Sequence, residues 1–287
     1  MTRPLVEAFF DPASWSVAYL VRDQGSKRAA IIDPILDYDP KRARTSTVQA
    51  DRVLARVREL GLTVEWILET HVHADHFSAA AYLRQALGAK MAIGEHVSAV
   101  QGHFARFYNL GPEFRTDGSQ FDRLLRDGER LALGKIEVRV MHTPGHTPAC
   151  ASYHAGDVVF CGDTMFMPDY GTARCDFPGG DAAAMYRSIR RLFALPPETR
   201  IFVGHDYAPG GRAVAWETTV AAQRAGNVFC NETVEEADFV RRRRERDANL
   251  APPDLMLLAV QFNLRGAQAP PAEGNGVAYL KLPLNSF

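Results

Sequence analysis

At 287 residues with 46% hydrophobic content and 17 prolines spread along it, the chain carries enough apolar surface for a sizeable core, which excludes a disordered or fibrous protein. A formal net charge of -1, from 33 Lys and Arg against 34 Asp and Glu, leaves no global basic field, so neither nucleic acid nor an anionic membrane is an expected partner. No window approaches the roughly 18 uninterrupted apolar residues of a membrane span, and the N-terminus shows neither a signal core nor an Arg/Ser-rich presequence. A cytoplasmic protein is expected, with a bacterial cytosol favoured over a mitochondrial matrix. Cys150, Cys161, Cys175 and Cys230 form no CxxC pair and read as reduced, small buried hydrophobes.

In chain order, "SVAYLVRD" (16–23) and "RAAIIDPI" (28–35) read as strands joined by the turn signal "QGSK". The segment "STVQADRVLARVRELG" (46–61) reads as an amphipathic helix, with Ser46 and Gln49 in capping-box spacing and Val53, Leu54, Val57 and Leu60 along one side. "TVEWILET" (63–70) is a buried strand, Ser78 is placed to cap the next helix, and "AKMAIG" follows as another strand. In the second half "KIEVRVMH" alternates, "CASYHAGDVVFCGD" reads as two strands around Ala155-Gly156, Asp181 caps a helix, and "RIFVGH" is a short strand. The segment 234–250 reads as a charged surface helix with an Asp238 to Arg242 pair. Helix and strand alternate in both halves, which predicts two mixed sheets packed face to face and covered by helices. No linker interrupts the pattern before about residue 265, so one domain (1–265) with an extension (266–287) packed on it is expected.

Five of the nine histidines fall in three polar clusters that each follow an apolar strand: His71, His73 and His76, then His146, then His205. Asp75, Asp163 and Asp206 accompany them. Imidazole with carboxylate suits zinc, iron or manganese, whereas calcium or magnesium would want mostly oxygen. Gly145, Gly162 and Gly204 each precede a candidate ligand and permit backbone angles or close approaches that a crowded site demands. His96, His103, His142 and His154 lack this setting and read as ordinary surface or core histidines.

The motifs "THVHADH", "HTPGHT", "GDTMF" and "GHDY", in this order, resemble those of the metallo-β-lactamase fold superfamily, which implies an αββα four-layer sandwich with a metal site on one edge. Within it, "MPDYGTARCDFPGG" and "PPDLMLLAVQFNLR" are similar to the persulfide dioxygenase branch, also called sulfur dioxygenases, rather than to the related glyoxalase II branch. The resemblance implies one iron(II) per chain held by His71, His146 and Asp163, acting on glutathione persulfide and O2 to give sulfite and glutathione. It makes His73, Asp75, His76 and His205 orienting groups. Where that branch has a cysteine two residues before the arginine, this chain has Thr172, so a role for such a thiol is absent. Arg174 is a candidate to pair with a substrate carboxylate, against an internal salt bridge to Asp176 or Asp169, and Tyr207 is a candidate to hydrogen-bond the peptide portion. A homodimer is plausible for the family. The alternative is a glyoxalase II-like hydrolase of a glutathione thioester or lactone, in which Asp75, His76 and His205 complete a second site and two zinc ions share Asp163.

Overall fold

The computed structural model describes residues 3–286. Its first half runs β1 (Pro4–Asp11), β2 (Ser16–Asp23), β3 (Arg28–Ile32), β4 (Ile35–Asp39), β5 (Arg44–Ser46), α1 (Val48–Glu59), β6 (Thr63–Leu68), β7 (Phe77–Ser78), α2 (Ala80–Leu87), β8 (Lys90–Gly94), α3 (Val97–Phe107) and β9 (Arg123–Leu125). The second half runs β10 (Arg130–Leu133), β11 (Ile136–His142), β12 (Ala151–Ala155), β13 (Val158–Phe160), α4 (Ala182–Phe193), β14 (Arg200–Phe202), β15 (Glu217–Thr219), α5 (Val220–Gly226), α6 (Glu236–Asp247) and α7 (Met256–Asn263). These strands build one mixed sheet in the order β1-β2-β3-β6-β8-β9, a second in the order β10-β11-β12-β13-β14-β15, and a small third sheet, β5-β4-β7.

Three apolar layers account for the stacking. Val17, Tyr19, Val21, Ile32 and Leu68 of the first sheet meet Val138, Val140, Tyr153, Phe160 and Phe202 of the second. The outer face of the first sheet is covered by α1, α2, α3 and α7 around Ile31, Val53, Leu83, Phe104 and Val260. The outer face of the second is covered by α4, α5 and α6 around Met185, Ile189, Ile201, Val220 and Phe239. The arrangement is helix, sheet, sheet, helix, in agreement with the αββα expectation. Residues 266–286 form no helix or strand but pack on the same body, where Gln261 Nε2 donates to the Lys281 carbonyl and Lys281 N donates to Gln261 Oε1. Among the described residues no helix is long and apolar enough to cross a membrane.

Several local expectations are corrected. The Ser46 and Gln49 capping box does not form: the helix starts after Thr47, and the Gln49 amide donates instead to Asp37 Oδ2 at 3.0 Å. Arg242 does not pair with Asp238; Arg241 takes Asp238 and Glu245, while Arg242 donates to the Val228 carbonyl. Nor is α6 wholly a solvated face. Phe239, Arg243 and Asp247 are buried, and the Arg243 guanidinium, 1% exposed, is bound by Asp247 and by the Thr172 carbonyl. Asp181 does cap α4, accepting from Ala184 N at 2.6 Å.

Candidate metal centre

The two sheets meet at one edge, and the candidate ligands gather there. The start of β2 bridges the segment after β14, with Val17 N donating to the Gly204 carbonyl at 2.9 Å and Ser16 paired with His205. The segment after β6 is fastened to the second sheet through Ala151 N, which donates to the Thr70 carbonyl, and through Tyr153 Oη, which donates to the Glu69 carbonyl at 2.6 Å. His71, His73, Asp75 and His76 therefore sit on a loop tied down at both sheets. From α7, Asn263 Nδ2 donates to the carbonyls of His73 and His76, both at 2.9 Å, and clamps the loop from the other side.

His71, His146 and Asp163 are all buried and present ligand atoms within 4.8 Å of one another. Asp163 Oδ2 lies 3.9 Å from His71 Nε2 and 3.8 Å from His146 Nε2, and its Oδ1 lies 3.3 Å from His205 Nε2. His205 Nε2 is in turn 3.6 Å from Asp75 Oδ2. The imidazoles are oriented from behind. Thr70 Oγ1 gives its proton to Asp33 Oδ2 (2.7 Å), so it accepts from His71 Nδ1 at 3.0 Å. His146 Nδ1 donates to the Arg174 carbonyl at 2.8 Å, and His76 Nδ1 to the Phe77 carbonyl at 3.0 Å. Ser16 Oγ donates to Asp75 at 2.9 Å and so accepts from His205 Nδ1 at 3.3 Å. Each of these rings is thus fixed in the tautomer that leaves Nε2 with a bare lone pair, which is how proteins prepare histidines for a metal.

The unmet needs of the site fit a cation. His71 Nε2 and Asp163 Oδ1 are buried without a hydrogen-bond partner among the described residues, and burial, then the neighbouring imidazoles, push the His71 pKa well below its ordinary value. Unpartnered buried lone pairs of this kind are costly unless something electron-poor sits between them. Nitrogen with carboxylate is the donor set of iron or zinc.

His73 is different. It turns Nε2 toward Asp33 Oδ1 at 3.1 Å and Glu69 Oε2 at 3.3 Å. Burial opposes charge on this ring, but Asp33 and Glu69 outweigh it and raise its pKa well above the ordinary range. Asp33 is the hub, accepting from Thr70 N and Thr70 Oγ1 while facing His73. Sequence reading passed over Asp33, Glu69, Thr70, Ser16 and Asn263. The Asp-Pro break in "RAAIIDPI" was the one available signal for Asp33, whose φ of +46° falls in the region that Asp and Asn tolerate better than other side chains.

Two glycines are explained by space. A Cβ on Gly162, whose φ is +48°, would stand 2.4 Å from Thr70 Oγ1, and one on Gly204 would stand 2.7 Å from Asp163 Oδ1. Gly162→Ala should therefore displace the threonine that orients His71 and lower metal affinity about 10- to 100-fold, read by competition with a chromogenic chelator. An unchanged affinity would refute the part given to Thr70.

A cavity of about 730 Å³ opens onto the ligands, lined among others by Asp75, His146, Asp163, Phe166, Tyr207 and Arg246. Arg174 also lines it but is spent internally: its guanidinium is bidentate to Asp176 (2.6 and 2.7 Å) and donates to the Ala251 carbonyl at 2.6 Å. Of the two readings for Arg174, the internal salt bridge is the one present. Asp169 is paired with Arg212, which also takes both oxygens of the buried Asp206. Tyr207 is exposed at the rim and stacks on His205 with ring centroids 5.7 Å apart. The Cys150 and Cys161 thiols are buried and pushed up to about 12, which removes them as nucleophiles.

Residues 16–205 match the Metallo-beta-lactamase superfamily. A probable metallo-hydrolase of Burkholderia pseudomallei is 55% identical, covering 98% of this chain and 99% of that one. A protein of Dictyostelium discoideum named glyoxylase B2 is 47% identical over 98% and 97% of the two chains. The mitochondrial persulfide dioxygenase ETHE1 of Bos taurus is 31% identical over 93% and 91%. The crystal structure of ETHE1 from Myxococcus xanthus superposes with a TM-score of 0.74 at 30% identity, covering 92% of this chain and 100% of that one.

Proposed function

The chain belongs to the metallo-beta-lactamase superfamily, and from that membership we propose that it is an iron(II)-dependent persulfide dioxygenase, with His71, His146 and Asp163 holding one iron and glutathione persulfide as substrate. The observation that carries this reading is the compact triad of two Nε2 atoms and one carboxylate oxygen, of which His146 and Asp163 line an open cavity. Two histidines and a carboxylate on one face leave positions for two further ligands, as in non-haem iron oxygenases. The likeness to ETHE1 over its whole solved chain supports it.

Iron held there would supply the one-electron chemistry through which O2 reacts with a sulfur anion. The chain's own residues do the rest. Asp163 offsets the charge at the triad, and the carbonyl of Arg174 and the Thr70 hydroxyl keep the two imidazoles aimed. Phe166, Phe177, Tyr170 and Tyr207 line the cavity with rings that exclude bulk water from the reacting sulfur, and in this reading Tyr207 Oη donates to the peptide portion. In balance, glutathione persulfide, O2 and water give glutathione, sulfite and protons. Both oxygen atoms end on the terminal sulfur, and the sulfur-sulfur bond breaks with glutathione leaving as the thiol.

A second reading has its own observation. His205 Nε2 stands between Asp163 Oδ1 and Asp75 Oδ2, with the lone pair of His76 also free, so the parts of a second metal position exist, and the names metallo-hydrolase and glyoxylase attach to relatives more similar in sequence than ETHE1. Metal analysis of protein grown with iron and zinc both available, together with oxygen uptake on adding glutathione persulfide, separates the two. About one iron per chain and uptake of O2 are expected. Two zinc ions per chain with no oxygen uptake would establish the hydrolase instead.

A further inference from the structure

We propose that Arg246 is the anion-binding subsite of the cavity, receiving a carboxylate of the substrate's peptide portion, while Arg174 holds the cavity wall. This rests on the glutathione-type substrate proposed above. Three arginines line the cavity: Arg174, Arg243 and Arg246. Arg174 is bidentate to Asp176 and fastened to the 250–251 backbone. Arg243 is buried against Asp247 and the Thr172 carbonyl. Arg246 has neither a carboxylate nor a hydrogen-bond partner for its guanidinium among the described residues; it lies over the rings of Tyr170, at 5.2 Å, and Phe229, at 5.3 Å.

That setting suits capture of a carboxylate. Contact with two rings restrains the guanidinium through its faces, and its N–H edge, which matches a carboxylate bidentately, is left open. A half-buried cation in the catalytic cavity with its edge unspent is a binding group awaiting an anion.

The position is also right. Tyr207 stacks on His205 at 5.7 Å, Tyr170 lies 4.8 Å from Tyr207, and Arg246 lies over Tyr170, so a ladder of rings leads from the ligand cluster to this arginine. The thiol of glutathione is on its middle residue, so with the sulfur at His71, His146 and Asp163 each arm, about two residues or roughly 7 Å of extended peptide, carries its carboxylate out along this ladder toward Arg246. The cavity volume of about 730 Å³ is within the roughly 300–1,000 Å³ of sites that enclose a ligand of this size.

The test is binding of S-methylglutathione, an unreactive thioether with both carboxylates, to metal-loaded protein by calorimetry, with its dimethyl ester as the counterpart that lacks both carboxylates. Arg246→Ala should raise the dissociation constant for the acid about tenfold or more, Arg246→Lys should recover part of the loss, and the ester should bind wild type and variant alike. Equal affinity of Arg246→Ala and wild type for the acid overturns the inference. So does an equal loss for acid and ester, which would mark a structural effect, and so does failure of the wild type to bind the acid. Should the wild type bind the acid through Arg246 yet consume no O2 with glutathione persulfide, the subsite stands and only the reaction assigned above falls.

Discussion

Asp163→Ala protein, grown with iron and zinc supplied, should carry less than about a tenth of the wild-type metal and show no measurable persulfide oxidation, while His73→Ala keeps most of its metal. Loss of an orienting partner costs a metal site about 10- to 100-fold in affinity, and Asp163 is more than that. Its two oxygens face His71, His146 and His205 at 3.3 to 3.9 Å, and without it His71 and His146 are two neutral imidazoles whose nearest remaining site carboxylate, Asp75, lies beyond them at His205. His73 instead turns Nε2 to the carboxylates of Asp33 and Glu69, at 3.1 and 3.3 Å. Its removal leaves two buried carboxylates facing each other, so His73→Ala should melt lower while remaining metallated. Metal content by mass spectrometry checks both, and equal depletion of His73→Ala and His71→Ala would place His73 among the ligands.

Asp33→Asn should be the most destabilising change near the site that touches no ligand. Asp33 is 4% exposed and accepts from Thr70 N and Oγ1 while facing His73. Breaking a buried ion pair from one side costs about 3–5 kcal/mol, which for a chain of this length corresponds to a melting temperature lower by roughly 10 °C. Asn tolerates the left-handed backbone at this position, so the effect isolates the charge. An amide nitrogen presented to Thr70 would also disturb the hydroxyl that orients His71, and metal affinity should fall about 10- to 100-fold. A melting curve within a degree or two of wild type, measured in chelator, would show that Asp33 is not the hub of this network.

The parts of this molecule that could be read from sequence are those whose cause is local. The first strand of the predicted hairpin coincides with β2 at Ser16–Asp23, since a β-branched and apolar run bounded by a turn signal declares itself locally. The HxHxDH loop declares itself by spacing, and the superfamily motifs carried the fold. What could not be read depends on partners far away in the chain. Asp33 looked like the interior of a strand because its role is defined by Thr70 and His73, some forty residues later. Arg243 looked like one more surface charge in "RRRRER" because only the packing of α6 on Thr172 and Asp247 buries it. The α3 helix lacks a capping side chain at its start, His96, and α7 is apolar on nearly every side, so neither announced a boundary. Arg174 drew notice as a motif residue, but its engagement by Asp176 and Ala251 is set by how the chain returns.

The seam between the two sheets has a thermodynamic consequence. His71 follows a strand of one sheet, whereas His146, Asp163 and His205 follow strands of the other, so an ion bound by them is a clasp joining two layers whose sequence segments lie up to 134 positions apart. Free ion stabilises only the closed sandwich, by an amount that grows with the logarithm of its concentration over its dissociation constant. The protein's resistance to heat and proteolysis would then track the metal supply of its surroundings, and a newly made chain would gain that protection only after residue 205 has been synthesised and the second sheet has docked on the first.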